Sequence, residues 1–280
     1  MKQKFRDLLE RNRWIKWIPN ALTLCNSLCG FAAILITLQA YRHTRLFDIA
    51  GVLAISAGMI LFAMVFDALD GFAARILNAA SMHGLQMDSL SDMVTFGVAP
   101  ATVVAVMAHN MRELARGQFL VVWFFSAVYL GCAALRLATY NVHAILERKS
   151  GEKFSGLPSP GAAAAICSLV IYCAYRAGEI KTVISFLPIY AAILGLLMVS
   201  KVPYTHFGKW IVSTKRNKKR LLFLICLLLL VSWRPIEAFV LIVNAYVVWG
   251  PISYCAVKLG FLKNTEEMIR EQERMKKEWK

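Results

Sequence analysis

Negative charge is scarce in this 280-residue chain: 17 Asp and Glu stand against 32 Lys and Arg, and charged residues of both signs make up only 18% of it. A soluble domain of this length carries about a quarter charged residues, so a single cytosolic globule is excluded. Disorder is excluded too, because 58% of the residues are apolar and disordered chains lack such residues. Metal-binding cysteine patterns are missing. Of the seven cysteines, at 25, 29, 132, 167, 173, 226 and 255, Cys25 and Cys29 stand one helical turn apart without an accompanying His or second Cys pair. All seven fall in or beside apolar stretches, where free cysteine packs as a small hydrophobe, and no disulfide is implied. A Walker loop, a dinucleotide-binding glycine pattern and a strand-rich section are also missing. The net charge of +15 would point to nucleic acid if it formed a face on a folded domain. Here it sits between and beyond long apolar runs, which leaves nucleic acid unnecessary as a partner.

Those runs are what the chain has in abundance. Eight stretches approach the length of about 20 apolar residues that crosses a bilayer core as a helix: 18–40, 46–68, 90–108, 118–140, 159–177, 181–200, 220–233 and 236–257. The expected architecture is an all-α, polytopic integral membrane helix bundle. The seventh run is short, and Arg234 and Pro235 leave room only for a turn before the eighth. Short cytoplasmic loops retain Lys and Arg. With the N-terminus inside, 23 of the 32 basic residues fall on the cytoplasmic side and seven on the other, while Arg75 and Arg136 lie at the ends of helical segments. That split predicts eight spans with both termini in the cytoplasm, in the cell membrane.

The ends carry charge rather than chemistry. Residues 1–16 are strongly basic and precede a full-length span, which is not the pattern of a cleaved signal peptide. Phe5, Leu8 and Leu9 share one helical face, so this segment either lies along the membrane surface or is a solvated tail that sets topology. Residues 259–280 read as a charged cytoplasmic helix, with Asn264 and Glu267 as a capping pair and Glu266/Arg270 and Glu273/Lys277 at i, i+4. The basic run from Thr214 to Arg220 either attracts anionic lipid or only fixes topology.

The few acids gather where acids are costly. The second run leads into FDALDGFAARILNAASMHGLQMDSLSDMVTFG, Phe66 to Gly97. Asp67 and Asp70 are three apart, Asp88 and Asp92 four apart, so each pair shares a helical face. A turn near Asn78 to Gly84 would bring all four to one level at the cytoplasmic edge. Four clustered carboxylates repel unless neutralised, and Mg²⁺ or Mn²⁺ takes oxygen ligands and pairs carboxylates with substrate phosphates. Two such ions suit the clamping of a phosphoryl group. Spacing alone also admits interfacial acids solvated by headgroup water, or a proton or ion pathway. Gly71, Ala74 and Gly84 remove bulk beside the acids, and Arg75 offers a fork of donors to phosphate, which describes a nucleotide-phosphate site better than a channel.

The order Asp67, Asp70-Gly71, Ala74-Arg75, Gly84, Asp88, Asp92, at this spacing over 26 positions, resembles the full signature of the CDP-alcohol phosphotransferases. The resemblance implies a six-helix core, usually dimeric, so that residues 17–210 would form the catalytic membrane domain and residues 211–258 would add two spans. It implies that Asp67, Asp70, Asp88 and Asp92 hold two divalent cations, that Gly71, Ala74 and Arg75 border the cytidine diphosphate, and that Asp92 is the general base. Pro19-Asn20 with Thr23 resembles the family's N-terminal signature, whose Asn and Thr face the nucleotide; ordinary capping explains Asn20 equally well.

Three further stretches resemble bacterial and archaeal phosphatidylserine synthases: SDMVTFGVAPA (Ser91 to Ala101), ALRLATYN (Ala134 to Asn141) and FSGLPSPGAAAA (Phe154 to Ala165). Thr95 stands where that group commonly has Ser and keeps the hydroxyl. The implied reaction joins L-serine to the phosphatidyl group of CDP-diacylglycerol and releases CMP. Arg136 is the candidate for the serine carboxylate, unless it snorkels to the interface. Asn141 and Ser159 are either substrate contacts or cap and turn residues. Glycerol 3-phosphate, inositol or inositol phosphate as acceptor, and an ion-coupled transporter, are the competing readings. A second phosphate would call for a further basic pocket, and a transporter for acids near the midplane with an internal repeat; neither pattern is evident.

Overall fold

The structure, a computed structural model, describes residues 17–42, 46–77, 81–110, 116–146, 156–176, 181–202, 204 and 232–259. Within them the chain is helical and without strands: α1 (Ile18–Gln39), α2 (Leu46–Ile76), α3 (Met82–Asp92), α4 (Ala99–Asn110), α5 (Arg116–Leu146), α6 (Ser159–Tyr175), α7 (Lys181–Val199) and α8 (Pro235–Lys258). α3 and α4 form one rod joined by a π-helical turn, Met93–Val98. Five helices are long and apolar enough to cross a membrane, Ile18–Arg42, Asp48–Ile76, Met82–Asn110, Phe119–His143 and Pro235–Lys258, and two shorter apolar helices, Ser159–Tyr175 and Val183–Val199, accompany them. The protein is a polytopic membrane helix bundle. The expected N-terminal segment, most of the seventh span and the C-terminal helix lie outside the described residues.

α2 runs on past the apolar stretch to Ile76, so that Asp67, Asp70, Gly71, Ala74 and Arg75 are all helical, as their shared face requires. One boundary differs from expectation. Gly84 is not in a turn: Ser81 is an N-cap in extended conformation whose Oγ accepts from the Gly84 N–H at 2.9 Å, which starts α3 at Met82. A Ser N-cap satisfies one of the donors a helix start leaves unpaired.

Small and weakly polar residues allow the helices to approach closely, the usual basis of helix association in lipid. α1 packs along α2, where Ser56 Oγ donates to Ala33 O at 2.7 Å and stands 2.7 Å from the Thr37 hydroxyl. α6 is the central helix, buried from Ala162 to Ser168 and packed between α2, α7 and α8. Large apolar side chains such as Leu28 and Phe31 on α1, Phe62 on α2, Phe124 on α5 and Leu241 on α8 face outward, as a lipid-facing surface requires.

At two of the prolines inside helices, Pro100 and Pro251, a tyrosine answers the carbonyl left free. Pro100 has no N–H for the carbonyl of Phe96, four residues earlier, and a ring there crowds that carbonyl. The helix widens into a π turn, with the Ala99 N–H reaching Val94 O, and the hydroxyl of fully buried Tyr129 on α5 donates to Phe96 O at 2.7 Å. On α8, Pro251 likewise frees Val247 O, and Tyr204 donates to it at 2.9 Å. Tyr129→Phe would orphan a buried carbonyl; we expect a loss of about 1–3 kcal/mol, read as a lower melting temperature in detergent, whereas an unchanged value would show that the π turn finds another donor.

The segment before α6 is pinned to the end of α7. Gly156 has φ 99°, and a Cβ there would stand 2.3 Å from Met198 O, so only glycine fits. Its N–H donates to Val202 O at 2.8 Å and that of Leu157 to Leu197 O at 3.0 Å. Pro158 and Pro160 then set the entry of α6.

Candidate active site

The acids come together at the junction of α2 and α3. Ligand oxygens of Asp67, Asp70 and Asp88 all lie within 4.8 Å of one another. Asp92 is not one of the three. It lies four residues, about 6 Å of helical rise, beyond Asp88, beside Asp67, and its Oδ1 accepts from Asn26 Nδ2 at 3.3 Å. The four carboxylates are therefore contiguous: a triad of Asp67, Asp70 and Asp88, with Asp92 against Asp67.

α1 is the alignment template for this arrangement. The Thr23 hydroxyl stands 2.7 Å from Asp70 Oδ2 and 2.9 Å from Pro19 O; it has one proton, and the charge-assisted bond to the carboxylate is the stronger. Ser91 Oγ donates to Thr23 O at 2.9 Å and Thr95 Oγ1 to Asn26 O at 3.0 Å. At Gly30 a Cβ would meet Thr95 Oγ1 at 2.4 Å, so the two rods touch backbone to side chain. α1 thus grips the acid-bearing rod on both sides of Asp92.

A cleft of about 170 Å³ opens over two of the three triad acids, Asp70 and Asp88, and is lined by Pro19, Asn20, Thr23, Asp70, Gly71, Ala74, Ser81, Gly84, Leu85 and Asp88. Seven residues singled out from sequence (Asn20, Thr23, Asp70, Gly71, Ala74, Gly84 and Asp88) are among its walls. Nothing would obstruct a Cβ at Gly71, whereas at Gly84 one would stand 3.2 Å from Ser81 Oγ and 3.5 Å from Asn20 Oδ1. Gly71 therefore leaves open surface, and Gly84 lets the start of α3 close against α1.

Other expected residues lie outside the cleft walls. Arg75 is exposed, and its Nε donates to Gly71 O at 2.9 Å, one turn back along α2. Arg136, on α5, is half-buried: Nη1 donates to Leu157 O at 2.8 Å and Nε to Ser159 Oγ at 3.3 Å. Ser159 is buried and holds that guanidinium. Asn141 Oδ1 accepts from Ser89 Oγ at 2.7 Å, which ties α5 to α3 between Asp88 and Asp92. Sequence reasoning missed Asn26, Ser81, Ser89 and Ser91. The signal for Asn26 was present: an amide in an apolar span, three residues after Thr23 and so on the same face.

Comparison with known proteins decides the family. The sequence profile described as CDP-alcohol phosphatidyltransferase matches residues 16–250. The chain belongs to that family. It is 30% identical over 213 residues to the CDP-diacylglycerol–serine O-phosphatidyltransferase of Helicobacter pylori (strain ATCC 700392 / 26695), covering 74% of this chain and 83% of the relative. It is 34% identical over 199 residues to the protein of the same name from Bacillus subtilis (strain 168), covering 70% and 93%. To the archaetidylserine synthase of Methanothermobacter thermautotrophicus it is 30% identical over 204 residues, covering 70% and 73%. The chain is thus an enzyme of the CDP-alcohol phosphatidyltransferase type.

The triad fits the divalent metals that enzymes of this family generally use. Its donors are all hard carboxylate oxygens. Two like charges 4 Å apart repel by about 4 kcal/mol at an effective dielectric near 20, so three so close call for a cation. Asp88 Oδ1 is moreover buried without a hydrogen-bond partner, an acceptor left for an ion.

Proposed function

We propose that the enzyme transfers the phosphatidyl group of CDP-diacylglycerol to the hydroxyl of L-serine, giving phosphatidylserine and CMP. The observation that carries this reading is the cleft itself, where Asn20, Thr23, Gly71, Ala74 and Gly84 surround Asp70 and Asp88: small residues and polar donors around carboxylates, at the facing ends of α1, α2 and α3. The three relatives above, named for serine transfer, support serine as the acceptor.

On this reading the acyl chains stay in the bilayer and the cytidine diphosphate enters the cleft, with its pyrophosphate toward the triad. Two divalent cations, Mg²⁺ or Mn²⁺, held by Asp67, Asp70 and Asp88 with Asp92 alongside, would neutralise the diphosphate and the charge that develops on CMP. Asn20 and the Ser81-capped start of α3 present polar groups to the nucleotide; Gly71 and Ala74 leave the space it occupies. Asp92 takes the proton from the serine hydroxyl as the new oxygen–phosphorus bond forms and the bond to the CMP oxygen breaks. A hydroxyl is a weak nucleophile at neutral pH, and a base within hydrogen-bond reach is what activates it. The basic residues flanking the helix ends support placing this face, and both termini, in the cytoplasm.

Arg136 stands close enough to Asp92 to interact with its charge, and its anchorage on Leu157 O and Ser159 aims it. It is the residue we assign to the serine carboxylate. Arg136→Lys loses the planar fork and should raise KM for serine about tenfold while leaving that for CDP-diacylglycerol nearly unchanged; equal changes in both would make the arginine structural. The assignment of the reaction is tested with isotopically labelled serine: the label should appear, by mass spectrometry, in a phospholipid of phosphatidylserine mass, and its absence from lipid would refute it.

A further inference from the structure

Asn26 is 0% exposed in the middle of α1, where an amide is a costly residue. Only one of its two polar side-chain groups is used within the described residues: Nδ2 donates to Asp92 Oδ1 at 3.3 Å, while Oδ1 is buried with no partner. The orientation follows from chemistry, since a carboxylate oxygen accepts and the amide must turn its NH₂ toward it. An orphaned buried acceptor costs about 1–3 kcal/mol, so Asn26 is a poor choice for holding helices together. Its backbone is also fixed: the carbonyl of Asn26 accepts from Thr95 Oγ1 at 3.0 Å, within the π turn that follows Asp92.

We propose that Asn26 is the positioning residue of Asp92. The amide holds Oδ1 of that carboxylate from the side of α1, which fixes the rotation of the group and directs Oδ2 to the acceptor hydroxyl. Asn26 lies outside the walls of the cleft, so it acts through Asp92 and not on the nucleotide. This inference rests on the reading of Asp92 as the base.

The test uses the full-length protein in detergent with CDP-diacylglycerol, Mn²⁺ and serine. Asn26→Ala should lower kcat by about 10- to 100-fold, the usual loss when a supporting partner of a reactive group is removed. KM for serine, CDP-diacylglycerol binding and Mn²⁺ affinity measured by electron paramagnetic resonance should each stay within about threefold, and the melting temperature should not fall. Asn26→Ser, which keeps a shorter donor, should recover part of kcat. In an Asp92→Asn background, Asn26→Ala should have no further effect, the non-additivity expected of residues that act as a unit. A kcat within twofold of wild type, additive losses in the double variant, or a collapse of Mn²⁺ affinity would each overturn the proposal. Should the wild-type protein release CMP with a different alcohol, the serine assignment fails and the same kcat comparison is made with that alcohol. Should no alcohol support release, both readings fall.

Discussion

Asp92→Asn is expected to lower the rate of CMP release by about 10²- to 10⁴-fold, the range attributed to a positioned general base. The substitution keeps the shape of the side chain and leaves an oxygen that still accepts from Asn26 Nδ2, so the local geometry survives and the proton acceptor is lost. Asp92 lies one turn beyond Asp88, against Asp67, and does not line the cleft. CDP-diacylglycerol binding and KM for serine should therefore change little, a loss confined to kcat. The measurement is steady-state CMP release alongside equilibrium binding of the lipid to the same preparation. A rate within tenfold of wild type would remove Asp92 from the role of base; a parallel loss of lipid binding would make it a ligand-holding residue instead.

The second large effect concerns the triad. Removing divalent ions with a chelator should abolish turnover, and added Mg²⁺ or Mn²⁺ should restore it. The physical reason is the crowding of Asp67, Asp70 and Asp88 within 4.8 Å, together with the unpartnered Asp88 Oδ1. Asp88→Asn removes one of the three charges and should weaken Mn²⁺ binding by at least about tenfold, a loss of about 1.4 kcal/mol, which paramagnetic resonance of bound Mn²⁺ reads without any turnover. It should also raise the melting temperature of the metal-free protein, because like-charge repulsion is relieved. Synthesis that persists in chelator, or unaltered Mn²⁺ affinity in Asp88→Asn, would contradict the assignment. Asp70 is a poorer choice for this experiment, since its bond to Thr23 couples metal binding to the seating of α1.

Much of this site was legible in sequence because helices translate spacing into geometry. Asp67 and Asp70, and Asp88 and Asp92, were placed on shared faces by intervals of three and four, and α2 and α3 present those faces to each other as expected. Seven of the residues picked out along the chain line one cleft because the motif occupies the facing ends of two consecutive helices, with the first turn of α1 closing the third side.

What escaped were contacts between residues far apart in sequence. Nothing in the local pattern ties Asn26 to Asp92, 66 positions later, or Ser89 to Asn141; these follow from which helices are neighbours, which periodicity does not state. Arg136 was assigned outward to a ligand, yet much of its hydrogen bonding goes inward to Leu157 O and Ser159, because a buried guanidinium must satisfy five donors. The π turn was hidden for another reason. Its cause, Pro100 four residues after Phe96, is in plain view, but the response depends on Tyr129 arriving from α5 to take up the freed carbonyl.

The central claim is that this cleft joins a CDP-activated lipid to serine. It is tested most directly by following CMP release from CDP-diacylglycerol by the purified protein in Mn²⁺ with serine, glycerol 3-phosphate, inositol and inositol phosphate supplied in turn. Release that depends on serine and not on the other three is the result predicted; release with one of the others in place of serine, or at the same rate with no alcohol added, would contradict it.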